Sequence, residues 1–368
     1  MRKNPNDQSR LIADVILHVR RGRANSRRSL ADVMGVSPST SGLYVDMLVA
    51  GKMLMEDGLE QGPVGRPKRR LRTVPGAGWF AGVEFHAGRI QAVRVDFSGR
   101  VVHQLQLPLP AGAGRVQVQQ QLAAGVRALG SAGPGRLLGI GVGAPGVVDP
   151  ERGISLHYAF IDDWREVPVS ALLMADFRVP VTLENNLRVI ALAERWFGGG
   201  RDLEDYVILG PRQGFGVAVM HRGHLFGGAH QAAGEIGNWA WPGGGEMHDV
   251  LSAPAVWRRL AGQQGPAPED LHAALAGLTG QPARSEISND FARVVGWLQL
   301  LLDTHVFFLH GPLNALGASF WDEVAALAAV LMPRLRGRVP CIRLSELDDA
   351  AGALGAASLA MESWQPSV

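Results

Sequence analysis

The sequence contains a single cysteine, Cys341, in 368 residues. One cysteine excludes an intrachain disulfide and a cysteine-based zinc site, so a buried, inert thiol is expected. No apolar run reaches the ~18 residues that a membrane-spanning helix needs. The N-terminal segment MRKNPNDQSR is charged and lacks the apolar region of a signal peptide. These absences predict a cytoplasmic, globular protein with no membrane span.

At 368 residues the chain is too long for one ordinary core, so two or three domains are expected. Charge is distributed unevenly along it. Residues 1–75 contain 14 Lys and Arg against 7 Asp and Glu, a net charge of +7, while residues 76–368 carry −5. A basic segment joined to an acidic body suggests a polyanion-binding module, although exposed charge can also serve solubility alone.

The basic segment is predicted to contain three helices. Residues 8–22 place apolar side chains at helical spacing. Ser26 is a predicted cap for a short helix that ends at Gly35. Ser37 is the predicted cap of the next helix, with Pro38 at its first position. Helix, short helix, glycine turn and capped helix is the pattern of a helix-turn-helix, and the alternative is an unspecialised helical bundle.

The third predicted helix begins with small polar residues. We expect its apolar face to contain Leu43, Met47 and Leu48, with the small polar residues on or near the other side. Small residues suit a helix whose first turn must approach base edges in a major groove about 12 Å wide.

A basic loop, GRPKRR at residues 65–70, lies between two predicted short strands and completes a winged helix-turn-helix. The proline would hold the basic side chains extended, so that they enter a minor groove or clamp phosphates; the alternative is a solvated loop. The predicted DNA-binding residues are Arg27, Arg28, Ser37, Ser39, Thr40, Ser41, Tyr44, Arg66, Lys68, Arg69 and Arg70.

Strands and helices alternate after a PGAG linker at residues 75–78, which indicates an α/β fold of two lobes. The predicted elements are hairpin strands in 79–102, a helix in 121–130, a buried strand in 136–150, strands near 180–184, 206–210, 215–221 and 339–343, helices near 254–262, 288–309 and 320–334, and a last helix of small residues. The sequence shows no internal repeat.

Six segments resemble the ROK proteins (repressors, open reading frames and sugar kinases), and within them the xylose-repressor-like regulators. They are SRRSLADVMGVSPSTSGLYVDMLVAGKM, GPVGRPKRRL, GIGVGAPGVVDPERG, LENNLRVIALAERWFGGGR, GGAHQAAGEIGN and AAGALGAASLAM. The resemblance implies a winged helix-turn-helix in residues 1–74 and a two-lobed actin-like (ribonuclease H-like) body with a sugar cleft. The first lobe would span residues 79–183, completed by a C-terminal helix at about 345–364, and the second would span 184–344.

The chain departs from the family's kinases at three places. Glu84 stands where they have an aspartate, and His-Ala-Gly at residues 86–88 replaces their Gly-Gly-Thr phosphate turn. Asn186 replaces the aspartate base, and an amide cannot take a proton at neutral pH. RQGFG at residues 212–216 replaces a Gly-Thr-Gly phosphate turn. Because phosphoryl transfer needs these parts together, we predict no enzyme activity, no catalytic residue and no cofactor.

The family's zinc site also differs. Asn238 occupies the position of a histidine ligand, and the segment WPGGGEMHDVLS that follows contains no cysteine. We therefore predict no metal site and interpret His248 as an ordinary surface or core histidine.

The sugar site is partly retained on the family pattern. Asn185 and Glu235 match sugar-contacting positions, while Asn186 and Asn238 differ from the family but remain polar. These four residues are the predicted ligand-binding set. Two further family contacts are lost: Ser252 replaces an expected glutamate, and Phe160, which precedes Trp164, lies near an expected asparagine.

These features together predict a DNA-binding transcriptional regulator, expected to be a repressor. It would bind an inverted repeat in double-stranded DNA as a homodimer or homotetramer, and would sense a small sugar or sugar derivative in a catalytically inactive cleft. Two alternatives remain open: a ROK sugar kinase fused to a DNA-binding head, and a ligand-independent DNA-binding protein whose body is an assembly scaffold.

Overall fold

The computed structural model describes residues 5–60, 68–86, 88–110, 112–278, 282–331 and 339–366. The chain divides into two compact units: Met1–Val189 with Asp349–Val368, and Ile190–Asp348. The separation of residues 1–74 as a domain of their own remains a prediction. Within the described part of the chain, no helix combines the length and apolar character needed to cross a membrane.

The N-terminal head consists of three helices and a two-stranded antiparallel sheet. Its elements are α1 Pro5–Arg20, α2 Arg27–Met34, α3 Pro38–Ala50, β1 Leu54–Glu60 and β2 Lys68–Thr73. The predicted winged helix-turn-helix is therefore confirmed as a fold. The side chains of Leu59, Glu60 and Lys68 lie outside the described residues, as does the loop that contains Arg66.

The rest of the first unit is built on a five-stranded sheet in the order β10-β6-β3-β4-β5. β3, β4 and β5 form an antiparallel meander, and β6 and β10 add in parallel beside β3. The strands are β3 Trp79–His86, β4 Arg89–Asp96, β5 Val101–Pro108, β6 Leu137–Ala144 and β10 Val181–Asn185. A smaller sheet contains β7 Val147–Asp149, β8 Ile154–His157 and β9 Arg165–Val167.

Helices cover both faces of this sheet. They are α4 Arg115–Ser131, α5 Val169–Phe177 and the C-terminal α12 Ala351–Ser363. α6 Asn186–Phe197 follows β10 directly and contains the unit boundary. Ala81 and Val83 pack into a core shared with α4. On the opposite face, Gly82 and Gly141 lie directly against the backbone of α12, at Ala353 and Ala356, where a Cβ atom would collide. The glycines and the small residues of α12 thus allow a close helix-to-sheet contact.

The second unit contains a five-stranded sheet in the order β13-β12-β11-β14-β15. β11, β12 and β13 form an antiparallel meander, and β14 and β15 add in parallel beside β11. The strands are β11 Tyr206–Pro211, β12 Phe215–His221, β13 His224–Leu225, β14 Val306–Leu309 and β15 Cys341–Leu344. The two units therefore repeat one strand order, the ribonuclease H-like order that the resemblance implied.

Five helices pack with this sheet around one apolar core. They are α7 Met247–Leu251, α8 Ala253–Ala261, α9 Leu271–Ala276, α10 Arg284–Leu302 and α11 Ala318–Leu331. The prediction of a helix through residue 309 is wrong in its last part. Asp303 ends α10 in the left-handed conformation, at φ 49°, and Val306–Leu309 forms the buried strand β14.

Cys341 is exposed at the start of β15, an edge strand of the second sheet. The expectation of a buried thiol is therefore wrong. Side chains alternate between the two faces of a strand, and in β15 Cys341 and Arg343 are the exposed residues.

Candidate functional site

Local capping fixes where α2 and α3 begin in the head. The Ser26 hydroxyl accepts a hydrogen bond from the Ser29 amide at 3.2 Å, and the Ser29 hydroxyl accepts one from the Ser26 amide at 3.0 Å. Gly35 ends α2 in the left-handed conformation, at φ 62°. Ser37 caps α3, with Pro38 at the first helical position. All four predicted signals are confirmed, and they present the start of α3 at the surface.

Three hydroxyl groups cluster at that exposed start. Ser37 Oγ lies 2.8 Å from both Ser39 Oγ and Thr40 Oγ1, and it accepts a hydrogen bond from the Thr40 amide. Ser37 and Ser39 are exposed and Thr40 is half-buried. Hydroxyls and amides at a helix N-terminus are suited to contact phosphate oxygens or base edges.

The buried face of α3 differs from the predicted one except at Leu48, which is buried as predicted. Leu43 is 59% exposed and Met47 is 36% exposed, whereas Ser41 and Tyr44 are buried. The Ser41 hydroxyl donates to the carbonyl oxygen of Arg27 at 2.9 Å, which satisfies it inside the head. In this conformation Ser41 and Tyr44 are therefore not presented to a groove, although both were predicted to contact DNA. Apolar residues surround most of α3, so periodicity alone did not identify its core-facing side.

Arg27 joins three elements of the head. Its Nε donates to Glu56 Oε1 of β1 at 2.7 Å, and its Nη2 lies 2.7 Å from Asp46 Oδ1 of α3. The hydrogen bond that Arg27 donates to Asp46 raises the pKa of Arg27, and the one that it donates to Glu56 lowers the pKa of Glu56. The DNA contact by Arg27 remains a prediction, and in this structure its guanidinium links elements of the head.

Other predicted basic residues are exposed on α2 and β2. Arg28 of α2 and Arg70 of β2 are exposed, as is Arg69, whose Nη1 lies 3.4 Å from Glu56 Oε2. The Arg69 pair is long and largely solvated, so it leaves this cation available to a stronger anion. These arginines and the start of α3 form the candidate nucleic-acid interface.

The predicted ligand residues Asn185 and Asn186 stand at the junction of β10 and α6. Asn185 is buried: its Oδ1 accepts from the amides of Leu187 at 2.9 Å and Arg188 at 3.3 Å, and its Nδ2 donates to the Gly146 carbonyl at 2.9 Å. Asn185 is thus the cap of α6. Asn186 is half-buried at the first position of that helix.

Glu184, just before this amide pair, is buried beside Arg188, with 3.0 Å between its Oε1 and Arg188 Nε. Burial raises the pKa of Glu184, and the nearby Arg188 and the Asn185 amide oppose that effect. The carboxylate is therefore part of a buried pair within the first unit.

The two turns that replace the kinase phosphate turns are each capped by a histidine. After β3, His86 Nδ1 accepts a hydrogen bond from the Gly88 amide at 3.2 Å; Ala87 lies outside the described residues. Between β11 and β12, His248 Nδ1 accepts one from the Phe215 amide at 2.8 Å. Phosphate turns hold their ligand through backbone amides, and here one amide of each turn is already bonded to imidazole.

The predicted ligand residues of the second unit lie in a short turn. Ile236–Asn238 forms a 3-10 helix that follows Glu235, which is half-buried, and Asn238 is exposed. The side-chain Nδ2 of Asn238 donates to the backbone carbonyl of Glu235 at 3.5 Å. Asn185 and Asn186 belong to the first unit, and Glu235 and Asn238 belong to the second.

Of the two positions that have lost a family sugar contact, Ser252 serves the fold and Phe160 faces solvent. Ser252 is buried and caps α8 by accepting from the Ala255 amide at 3.4 Å. Trp164 is buried, and its indole N–H donates to Ser155 Oγ at 2.8 Å. Phe160 is exposed, and its ring lies 5.4 Å from that of Tyr158. Across the described ranges, no three His, Cys, Asp or Glu side chains are grouped as metal ligands would be.

Two sheets of ribonuclease H-like order define an actin-like body, and a winged helix-turn-helix head precedes it. Residues 80–363 match the model of the ROK family. The chain belongs to the ROK family.

Known proteins similar to this chain include both regulators and kinases. It is 25% identical over 219 residues to a putative xylose repressor of Caldicellulosiruptor sp. (strain Rt8B.4), covering 59% of this chain and 55% of that protein. It is 27% identical over 255 residues to a glucokinase of Thermotoga maritima, covering 61% and 79%. The chain spans about half the length of the xylose repressors that it matches.

Among solved structures, the chain is similar in fold to a ROK family transcriptional regulator described as a homologue of the E. coli MLC protein. The TM-score is 0.79 at 18% identity, and 96% of each chain is covered. This similarity extends across the head as well as the body.

Proposed function

We propose that the chain is a transcriptional repressor that binds double-stranded DNA through its N-terminal head. The observation that carries the proposal is the exposed start of α3, where three hydroxyls cluster, in a head that also exposes arginines of α2 and β2. Hydroxyls and helix amides position a protein on phosphates, while arginines supply the electrostatic attraction. The relatives named xylose repressors and the fold neighbour described as a transcriptional regulator support it.

The proposed operator is an inverted repeat, and the proposed assembly is a homodimer or a homotetramer. Two heads related by a two-fold axis read two similar half-sites in opposite orientations. Protection of genomic DNA fragments by the full chain, followed by footprinting, tests this symmetry. A protected site without an inverted repeat would contradict it.

Salt dependence of DNA binding tests the candidate interface. Arg28→Ala, Arg69→Ala and Arg70→Ala should each weaken binding to all sequences and reduce the slope of log affinity against log salt by about one. Arg100→Ala, at an exposed arginine of the first sheet's β4–β5 turn, is the matched control and should change neither quantity. Unchanged binding in all three head variants would place the DNA surface elsewhere.

Phosphoryl transfer is the alternative that the glucokinase relatives raise. The histidine caps on both turns, together with Asn186 in place of a carboxylate base, support a body without kinase activity. We expect no ADP release from ATP with a broad panel of sugars, and no gain of activity in Asn186→Asp. Enzyme-dependent ADP release by the wild-type chain would overturn this part of the proposal.

A sugar or sugar derivative is the proposed effector, with Asn185 and Asn186 as the proposed contacts in the first unit and Glu235 and Asn238 as those in the second. Carboxylate and amide groups bind hydroxyls without reacting with them. Calorimetry of the wild type beside Glu235→Ala and Asn186→Ala tests the assignment, and both variants should lose heat of binding. If no sugar or sugar phosphate binds and both variants repress normally, the body is an assembly scaffold.

A further inference from the structure

An exposed ridge of α3, defined by Ser39, Leu43 and Met47, has no role in the core of the head. These residues follow one another at intervals of four, so their side chains lie one above the other along the helix. All three are exposed, and Leu43 is 59% exposed. A single exposed leucine is ordinary on a protein surface, but this one stands one turn beyond the hydroxyl cluster of the candidate interface.

The surroundings of the ridge favour a polyanion over an apolar protein partner. Residues 1–75 carry a net charge of +7, and Arg28 and Arg70 are exposed in the same head. Asp46 lies on the exposed side of α3, but Arg27 contacts it at 2.7 Å. The acidic side chain next to Met47 is therefore paired with a cation, which reduces its repulsion of a strongly negative surface.

One apolar group is regularly displayed in the DNA major groove, the C5 methyl of thymine. A recognition helix places its N-terminal residues against base edges, and Leu43 is the sixth residue of α3. We propose that Leu43, supported by Met47, contacts thymine methyl groups and so selects thymine at defined positions of each half-site. This inference rests on the proposed DNA-binding function and names the feature that the ridge reads.

Deoxyuridine substitution tests the inference, because it removes only the methyl group and leaves base pairing intact. The full chain is first used to select high-affinity duplexes from a random library, and each thymine is then replaced in turn. At one or two positions per half-site, the wild type should bind about fourfold more weakly, the value expected for one buried methyl group. At these positions, the wild type should bind a duplex that carries 5-methylcytosine more tightly than one that carries cytosine, by a similar factor.

The variant Leu43→Ala links the effect to the ridge. It should bind the thymine and deoxyuridine duplexes equally at those positions, because the contact that distinguishes them is gone. Val102→Ala removes a similarly exposed aliphatic side chain from β5 and should retain the fourfold difference. Leu43 is exposed, so its truncation should leave the thermal unfolding midpoint unchanged.

Three outcomes would overturn the inference. Specific DNA binding that is indifferent to every deoxyuridine substitution would show that the ridge does not read methyl groups, while the proposed function stands. The same indifference together with weaker self-association of Leu43→Ala would assign the ridge to a contact between protein chains. Absence of any salt-sensitive DNA binding would remove the proposed function itself, and the inference with it.

Discussion

The Asn185 side chain makes three hydrogen bonds, and all of them hold the junction between β10 and α6. Its carbonyl oxygen caps the helix, and its amide nitrogen ties that cap to Gly146 in the turn after β6. Asn186, one residue later, makes neither bond. The two side chains therefore have different roles. Asn185, which matches the family pattern, stabilises the junction between β10 and α6.

Truncation of the two asparagines should separate these tasks. Asn185→Ala removes the cap and the bond to Gly146, so we expect a loss of about 1–2 kcal/mol in the free energy of unfolding. Asn186→Ala should change it by less than about 0.5 kcal/mol. Urea unfolding followed by circular dichroism measures both, and equal losses would contradict the assignment.

Glu194 of α6 provides a pH-dependent test in the second unit. It is buried, Ser345 Oγ donates to its Oε1, and the Gly199 amide donates to its Oε2 at 3.0 Å. Burial raises the pKa of Glu194 in the folded state above its unfolded value. The folded state therefore favours the protonated form, and the stability that this group contributes is lost as pH rises through the folded pKa.

The variant Glu194→Gln imitates the protonated side chain, and it can keep both contacts because a serine hydroxyl also accepts. Its stability relative to the wild type should increase as the pH is raised from about 4.5, near the unfolded pKa, to 8. Thermal unfolding of both proteins across that range measures the difference. A difference that is constant with pH would show that the carboxylate is not the cause.

At the scale of elements, local signals in the sequence predicted the boundaries of the head helices. Caps and glycine stops act within a few residues, so Ser26, Gly35 and Ser37 could be identified without tertiary structure. Which side of α3 is buried depends on how the helix packs against α1, α2 and β1, and that packing is not encoded by signals within α3 itself. That side was predicted wrongly at Leu43 and Met47, and two predicted DNA-binding residues, Ser41 and Tyr44, are buried instead.

Strand β14 shows the same limit in the second unit. Its residues, Val306–Leu309, form a short apolar run that follows a long helix, and an apolar run of this length fits a buried helix turn or a central strand equally well. Pairing with β11 and β15 on both sides decides the outcome. The histidine caps were likewise not predicted, because His248 and Phe215 are brought together only by the fold.

Arg27 and Arg28, adjacent on α2, should respond differently to truncation. Arg27→Ala breaks the links from α2 to Asp46 and Glu56, and should destabilise the head by about 1 kcal/mol, since these pairs are partly solvated. Arg28→Ala should leave stability unchanged and affect only DNA binding. Hydrogen exchange of amides in residues 27–56 measures the first effect. Equal protection in the two variants would contradict a supporting role for Arg27.

On the scale of the whole molecule, the two units share one strand order although the sequence shows no repeat. The order requires only an antiparallel meander followed by two parallel additions, and many apolar sequences satisfy that pattern. A common topology can therefore persist without residue-level similarity. The resemblance to the ROK family, rather than periodicity, was what predicted it.

Arg20, the last residue of α1, joins the head to the rest of the first unit. Its Nε donates to the Phe97 carbonyl at 2.9 Å and its Nη1 to the Met361 carbonyl of α12 at 3.4 Å. The guanidinium carbon lies 4.7 Å from the Phe97 ring centroid and 5.4 Å from that of Phe80. Trp364 packs edge-on against both rings, so one arginine is held in an aromatic box at the base of the head.

Loss of the Arg20 box should loosen the head without unfolding it. Arg20→Ala removes two hydrogen bonds and two cation–π contacts, so we expect about 2 kcal/mol less protection of α1 amides in hydrogen exchange. Arg20→Lys should restore only part of it, because an ammonium lacks the planar, two-directional donors of guanidinium. Arg10→Ala, at an exposed arginine of the same helix, is the matched control.

The consequence for DNA binding separates the box from a direct DNA contact. A loosened head can still read one half-site, but two loosened heads must be ordered together on an inverted repeat, which costs free energy. Arg20→Ala should therefore bind a single half-site as the wild type does and bind the full operator more weakly. Electrophoretic mobility shifts on both duplexes measure this difference. An equal loss on the two duplexes would instead make Arg20 a phosphate contact and would leave the aromatic box with a purely structural role.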